Sequence, residues 1–152
     1  MTDIFDLGDT LGPAKVLHVC EPSLGLRAVL VVDNVARGPS IGGLRMAPDV
    51  TVEECARLAR AMTLKNSAAG LAHGGGKSVL WGDPRMPRER KERLVRAFAH
   101  ALRHEQDYIF GPDLVEWDAA QCCRQAHRAR GAFSGAKGRP VDRGLRHVRS
   151  HP

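Results

Sequence analysis

Two lysines twelve residues apart, Lys65 and Lys77, are the residues of this chain whose type and spacing best suit chemistry; Gly74, Gly75 and Gly76 directly precede the second, and Asp113 lies downstream. Two ammonium groups facing one cleft can converge on a small anion. Each raises the cost of protonating the other, which moves an amine toward the range where it exchanges protons near neutrality. A nearby carboxylate offsets that shift and can itself transfer protons, a role open to Asp113. The stretch from Gly70 to Pro84, G-L-A-H-G-G-G-K-S-V-L-W-G-D-P, therefore reads as the centre of the molecule. Its glycines let the backbone turn and let a ligand approach closely. Spacing alone leaves one alternative, that the three glycines form an ordinary surface turn.

Two nucleotide readings fail on the same residues. A phosphate loop needs a glycine six positions before its lysine, where this chain has Leu71, and a helix after it, where V-L-W reads as strand. No G-x-G-x-x-G follows a strand, so there is no dinucleotide fingerprint. Cys20, Cys55, Cys122 and Cys123 have no ligand-like spacing, so neither a zinc site nor a disulfide framework is indicated and reduced thiols are expected.

The elements that must carry the lysines alternate between strand and helix. V-L-H-V-C and L-R-A-V-L-V-V-D, between Lys15 and Asp33, predict two strands joined by a turn at E-P-S-L-G, the second buried on both faces. Gly38-Pro39 and Gly42-Gly43 bracket a short extended piece before Pro48. Thr51 and Glu54 make a capping box, followed by Cys55, Leu58, Ala59 and Met62 at helical spacing. Lys65 lies three residues beyond Met62, near that stripe; a snorkelling or dipole-matched lysine is the plainer reading of it. S-V-L-W predicts a buried strand. Pro87 suits the first turn of a second helix, with Leu94, Val95, Phe98, Ala101 and Leu102 as its apolar stripe and a solvated charged face at its start. D-Y-I-F-G-P-D predicts a short strand ending at Asp113, and L-V-E-W-D-A-A-Q-C-C-R-Q-A a third helix. This alternation indicates an α/β sandwich.

At 152 residues, 43% hydrophobic and 26% charged, the chain is long enough for one domain with a substantial core. No apolar run reaches the roughly 18 residues of a membrane helix, and the acidic start M-T-D-I-F-D-L-G-D-T is unlike a signal peptide, so a cytoplasmic location is expected. The net charge of +6 is unevenly placed. Residues 124–152 hold eight Lys or Arg against one Asp, which leaves residues 1–123 near neutral with 15 basic and 16 acidic groups. The tail has no convincing period, so no structure is assigned to it; a nucleic-acid-binding arm lacks the interleaved aromatics that would support it.

The segments S-I-G-G-L-R-M-A-P, M-T-L-K-N-S-A-A-G-L-A-H-G-G-G-K-S-V-L-W-G-D-P and D-Y-I-F-G-P-D resemble successive motifs of the N-terminal, substrate-binding and dimerisation domain of the glutamate/leucine/phenylalanine/valine dehydrogenase family, over roughly residues 15–114. The resemblance implies a three-layer, sandwich-like α/β domain without the Rossmann domain. The expected division is an N-terminal segment 1–14, the domain proper 15–123 and a basic tail 124–152. It implies reversible oxidative deamination of an L-amino acid to a 2-oxo acid with NAD or NADP, and assembly as a homo-oligomer or with a full-length paralogue. By resemblance, Lys65 binds the α-carboxylate, Lys77 activates the attacking water and Asp113 shuttles protons, with Gly42, Gly43, Gly75 and Gly76 lining the substrate site. Ile41 stands where glutamate-specific members carry a lysine. Burying an unpaired carboxylate against it is costly, so a substrate of the leucine, valine or phenylalanine type is expected.

The chain departs from the family pattern at Ala72, where many relatives have proline, and at V-E-W-D after Leu114, where bulky Val115 is expected to disturb the backbone at Asp113. The largest departure is the absence of the family's nucleotide-binding domain, and with the arginine- and glycine-rich tail it predicts a truncated dehydrogenase, its reading frame lost near residue 114, which is inactive alone. The alternative from another class is a non-enzymatic amino-acid-binding or assembly subunit.

Overall fold

The computed structural model describes residues 4–111. Asp113, Val115, the expected third helix and the basic tail lie outside the described residues.

A short 3-10 helix, Ile4–Leu7, precedes six strands and two helices: β1 Lys15–Glu21, β2 Leu26–Val32, β3 Ser40–Gly42, β4 Leu44–Ala47, α1 Val52–Ala68, β5 Gly74–Trp81, α2 Arg88–Ala101 and β6 Tyr108–Phe110. The expected hairpin is present. β1 and β2 pair antiparallel from Lys15↔Val32 to Glu21↔Leu26, and the turn closes through Gly25 at φ 68°, a conformation in which a side chain is strained. β5 lies at the centre of the sheet. It runs antiparallel to β2 on one side and parallel to β3 and β4 on the other, and β6 extends the sheet beyond β3.

Strand alternation divides the side chains into two cores. Leu26, Ala28, Leu30, Val32 and Leu80 meet Leu94, Val95, Phe98, Ala99 and Leu102 of α2 on one face. Val29, Val31 and Val79 meet Cys55 and Ala59 of α1 on the other. The sheet between two helices is the expected three-layer α/β arrangement. β2 contributes to both cores, which is why its apolar run is almost continuous.

Local signals explain the helices, with adjustments. Thr51 caps α1 by accepting the Glu54 N–H through Oγ1 at 3.0 Å, whereas the Glu54 carboxylate pairs with Arg45 at 3.3 Å. On α1 the buried positions are Cys55, Ala59 and Asn66, while Leu58 and Met62 flank them half-buried. On α2 it is Ala99 that is buried and Ala101 that is exposed, because 94, 95, 98, 99 and 102 share one helical face. Pro87 is the N-cap and not a first-turn residue.

The glycine triplet departs most from expectation. Gly74, Gly75 and Gly76 are the buried first residues of β5, and none has positive φ, so they form neither a turn nor a surface loop. Their need for glycine comes from neighbouring protein. A Cβ on Gly75 would lie 2.0 Å from Thr63 N, and one on Gly74 would lie 1.6 Å from the Asn34 carbonyl oxygen. On Gly76 it would meet Ser40 Oγ at 2.8 Å and the Tyr108 ring at 2.9 Å. Each glycine thus allows a different close approach to β5.

Candidate functional site

Lys77 follows this bare stretch and is half-buried on the α1 face of the sheet, two residues from Gly75. Its side orientation follows from alternation: Val79 and Trp81 belong to the core under α1, and residue 77 shares their face. Its backbone is held from above, where the buried Cys55 thiol donates to the Lys77 carbonyl oxygen at 3.2 Å. Burial pushes that thiol up to about 12 from an ordinary 9.0, so Cys55 is a neutral donor and not a nucleophile.

Ile41 reaches the same face from the adjacent strand. β3 pairs parallel with β5 in the register Ile41↔Gly75, placing the apolar side chain beside the position where β5 has none. Next along the chain, Gly42 packs against β5 so closely that a Cβ would sit 1.6 Å from the Gly76 carbonyl oxygen. The Gly43 carbonyl accepts the Ser78 N–H at 3.0 Å, closing the β3–β4 break around Lys77. Gly42, Gly43, Gly75 and Gly76 are all buried where β3, β4 and β5 adjoin, but only Gly75 faces α1 with Lys77; Gly76 faces Ser40 and Tyr108 on the other side of the sheet. Protein atoms fill the space that side chains on Gly42, Gly75 and Gly76 would take.

Lys65 arrives on the last turn of α1, which packs over β5, β2 and β3. It is exposed, beside the buried Asn66 and two residues after Thr63, the residue in contact with Gly75. Ile41, Gly75, Lys77 and the end of α1 carrying Lys65 thus occupy one region. β6 leads toward it as well. Its register with β3 aligns Phe110 with Gly42, and Gly111 N–H donates to the Gly42 carbonyl at 2.7 Å. Asp113, three residues beyond Phe110, lies outside the described residues.

Several supporting residues were not anticipated. The Tyr108 hydroxyl donates to the Gly42 carbonyl at 2.9 Å and accepts from Ser78 Oγ at 3.1 Å, joining β6, β3 and β5. Asp33, 2% exposed, accepts Arg60 Nε at 2.9 and 3.1 Å and Thr63 Oγ1 at 2.6 Å, while its N–H donates to the Gly75 carbonyl. Arg60 also bridges to the exposed Asp9 at 2.7 and 2.8 Å, binding the N-terminal segment to α1. That pairing holds Asp9 below the usual carboxylate range and raises Arg60 further. Asn66 Nδ2 donates to the Gly74 carbonyl at 2.7 Å. The available signals were a poor helix former on the buried stripe of α1, at Asn66, and an aspartate closing a buried strand, at Asp33.

Among the described residues no group of His, Cys, Asp and Glu is arranged to hold a metal ion. A cleft of about 280 Å³ lined by Ser23, Leu24, Arg90, Arg93 and Leu94 lies between the β1–β2 turn and α2, away from the lysines. No helix among the described residues is long and apolar enough to cross a membrane.

Comparison with known proteins identifies the family and the fold. Residues 14–116 match the family model described as Glu/Leu/Phe/Val dehydrogenase, dimerisation domain. Leucine dehydrogenase of Geobacillus stearothermophilus is 37% identical over 105 residues, covering 66% of this chain and 28% of that protein. Phenylalanine dehydrogenase of Thermoactinomyces intermedius is 39% identical over 89 residues, 56% of this chain and 24% of that protein. Valine dehydrogenase of Streptomyces virginiae is 40% identical over 94 residues, 59% of this chain and 26% of that protein. The chain thus spans about a quarter of the length of these relatives. Among solved structures, the hetero-hexameric glutamate dehydrogenase of Thermus thermophilus in its Leu-bound form superposes with a TM-score of 0.68 at 28% identity, over 77% of this chain and 31% of that one.

Proposed function

Because the chain belongs to the Glu/Leu/Phe/Val dehydrogenase family through the dimerisation domain of those enzymes, we propose that it supplies the amino-acid-binding part of a dehydrogenase acting on a hydrophobic L-amino acid. The family reaction is reversible NAD- or NADP-dependent oxidative deamination. The observation that carries the reading is the placement of Ile41 and Lys77 on one sheet face, beside the end of α1 that presents Lys65.

In this reading the fixed ammonium of Lys65 pairs with the substrate α-carboxylate and orients Cα. Lys77, half-buried on β5, activates the water that attacks the imino carbon, and Asp113 moves protons on the amine and water. Ile41 gives the substrate side chain an apolar wall; a side-chain carboxylate buried there has no cation on β3 to meet it. The described residues do not fit a dinucleotide. Their glycine-rich stretch is a strand covered on every side by protein, not a strand-to-helix turn able to cradle a pyrophosphate. Hydride acceptance is the chemistry NAD or NADP supplies when bound. The chain's own residues bind and orient the amino acid.

Calorimetric titration of the 152-residue chain with L-leucine, L-phenylalanine and L-glutamate tests the reading. Binding of leucine or phenylalanine, lost in Lys65→Ala, is expected, as is a shift toward glutamate in Ile41→Lys. Tighter binding of glutamate than of both apolar amino acids by the unmodified chain refutes it.

The hetero-hexameric assembly named for the Thermus thermophilus protein favours a second reading, a subunit that binds an amino acid and assembles with a complete paralogue. Light scattering of the chain alone and mixed with such a paralogue decides it: a monomer in both samples excludes that role.

A further inference from the structure

We infer that Asn66 is a positioning residue, fixing the last turn of α1 on the glycine strand and thereby the place of Lys65 relative to Lys77; the inference rests on the two-lysine reading above. The contact between α1 and the start of β5 is made of bare backbone. A Cβ on Gly75 would fall 2.0 Å from Thr63 N and 2.5 Å from Thr63 Cα, so no side chain of β5 interlocks with the helix there. Ridges packed into grooves ordinarily resist sliding and rotation of a helix, and this contact has none on the sheet side.

Apolar packing does not replace them. Ala59 is the last fully buried apolar residue of α1; Met62 is half-buried, and Leu64 and Lys65 are exposed. Polar ties hold the turn instead. Asn66, 4% exposed, donates from Nδ2 to the Gly74 carbonyl at 2.7 Å. One turn earlier, Thr63 Oγ1 donates to Asp33, whose own N–H is bonded to the Gly75 carbonyl. Consecutive glycines of β5 are thus each tied to α1, one directly and one through Asp33.

Asparagine is a weak helix former, so its presence in a final helical turn is not explained by propensity. Its neighbour is Lys65. On a helix of about 2.3 Å Cα radius, a rotation of about 20° moves each Cα by about 0.8 Å and the end of a lysine side chain by considerably more. Misplacement by about 1 Å is enough to cost on the order of a hundredfold in an oriented reaction.

The test uses the full 152-residue chain and two variants. Asn66→Leu keeps the branched outline of the side chain, at a larger volume, and removes the donor. Asn66→Asp keeps the shape but donates to the Gly74 carbonyl only while its carboxyl is protonated. A short amine-specific cross-linker, read by peptide mass spectrometry, reports the Lys65–Lys77 link; Lys91, on α2 at the opposite face, is the internal reference for reagent access. The expected result in Asn66→Leu is a link yield reduced about fivefold or more at unchanged Lys91 modification, with leucine affinity reduced about tenfold or more. For Asn66→Asp, leucine affinity is near wild type at about pH 5 and falls toward about pH 8, a profile absent from wild type and from Asn66→Leu.

Wild-type link yield in Asn66→Leu overturns the inference, as does an Asn66→Asp affinity that is independent of pH. If the unmodified chain binds no leucine, the functional reading fails and the cross-link still decides the positioning role. If Asn66→Leu does not fold, Asn66→Asp at the acidic end retains the hydrogen bond, and its titration decides.

Discussion

The two faces of the sheet are built from different materials. Against α2 the core consists of large apolar residues, among them Leu26, Leu30, Leu80, Leu94, Phe98 and Phe110, with Phe98 meeting Phe110 edge-to-face at 6.1 Å. Against α1 the core is Val29, Val31, Val50, Cys55, Ala59 and Val79, and near Lys65 it gives way to glycine and hydrogen bonds. Large side chains bury more area and interlock, which favours stability. Small ones let a helix backbone approach a strand, which favours placing lysines on adjoining elements. One face chiefly holds the fold and the other chiefly holds the candidate site.

Four substitutions or conditions can break that contrast. Phe98→Ala is expected to have the largest effect, about 3–5 kcal/mol lost in urea denaturation, because a fully buried ring is removed from the large-residue core. An effect under about 1 kcal/mol there would abolish the distinction between the faces. Gly75→Ala comes next, at about 1–3 kcal/mol, since the new methyl meets helix backbone that cannot rotate away. Its expected signature is loss of leucine binding in a chain that stays folded.

Cys55 sharpens the comparison through pH. Its folded pKa, about 12, lies above the ordinary 9.0. Below 9 both states carry the protonated thiol and stability is unaffected; above 9 only the unfolded state loses the proton. Its contribution to stability therefore falls by about 1.4 kcal/mol per pH unit between about pH 9 and about pH 12. Denaturation at alkaline pH is expected to show a shallower decline in Cys55→Ala than in wild type. The smallest effect is expected at the entry to α1, where Thr51→Ala removes the cap and costs about 1 kcal/mol in the same assay.

The hairpin, both helices and the central strand were legible because each carries a local pattern: Val-rich runs around Pro22 and Gly25, a Thr51 cap, an apolar stripe after Pro87. A surface turn stays open as the alternative for the glycine triplet on sequence alone, for a definite reason. Glycine is required both where φ is positive and where another backbone comes close, and sequence does not distinguish the two. Here the second cause applies, and only the positions of Asn34, Thr63, Ser40 and Tyr108 around β5 reveal it. Asn66, Asp33 and Tyr108 escaped notice similarly. Their partners lie 8, 27 to 30 and 30 to 66 residues away, and neither local periodicity nor capping signals such pairs.

The sequence by itself determined that an α/β domain forms, where its main strands and helices lie, and that Lys65 and Lys77 are the residues to examine, because periodicity, capping and motif spacing are properties of short stretches; Ile41 was added by the family resemblance. The tertiary structure decided how those residues meet. The parallel register of β3 on β5 sets Ile41 beside Gly75, and the missing side chain of Gly75 admits Thr63 of α1. Polar bonds between distant residues then fix the helix that carries Lys65. These are relations of shape and hydrogen bonding between segments, and they exist only once the sheet has brought the segments together.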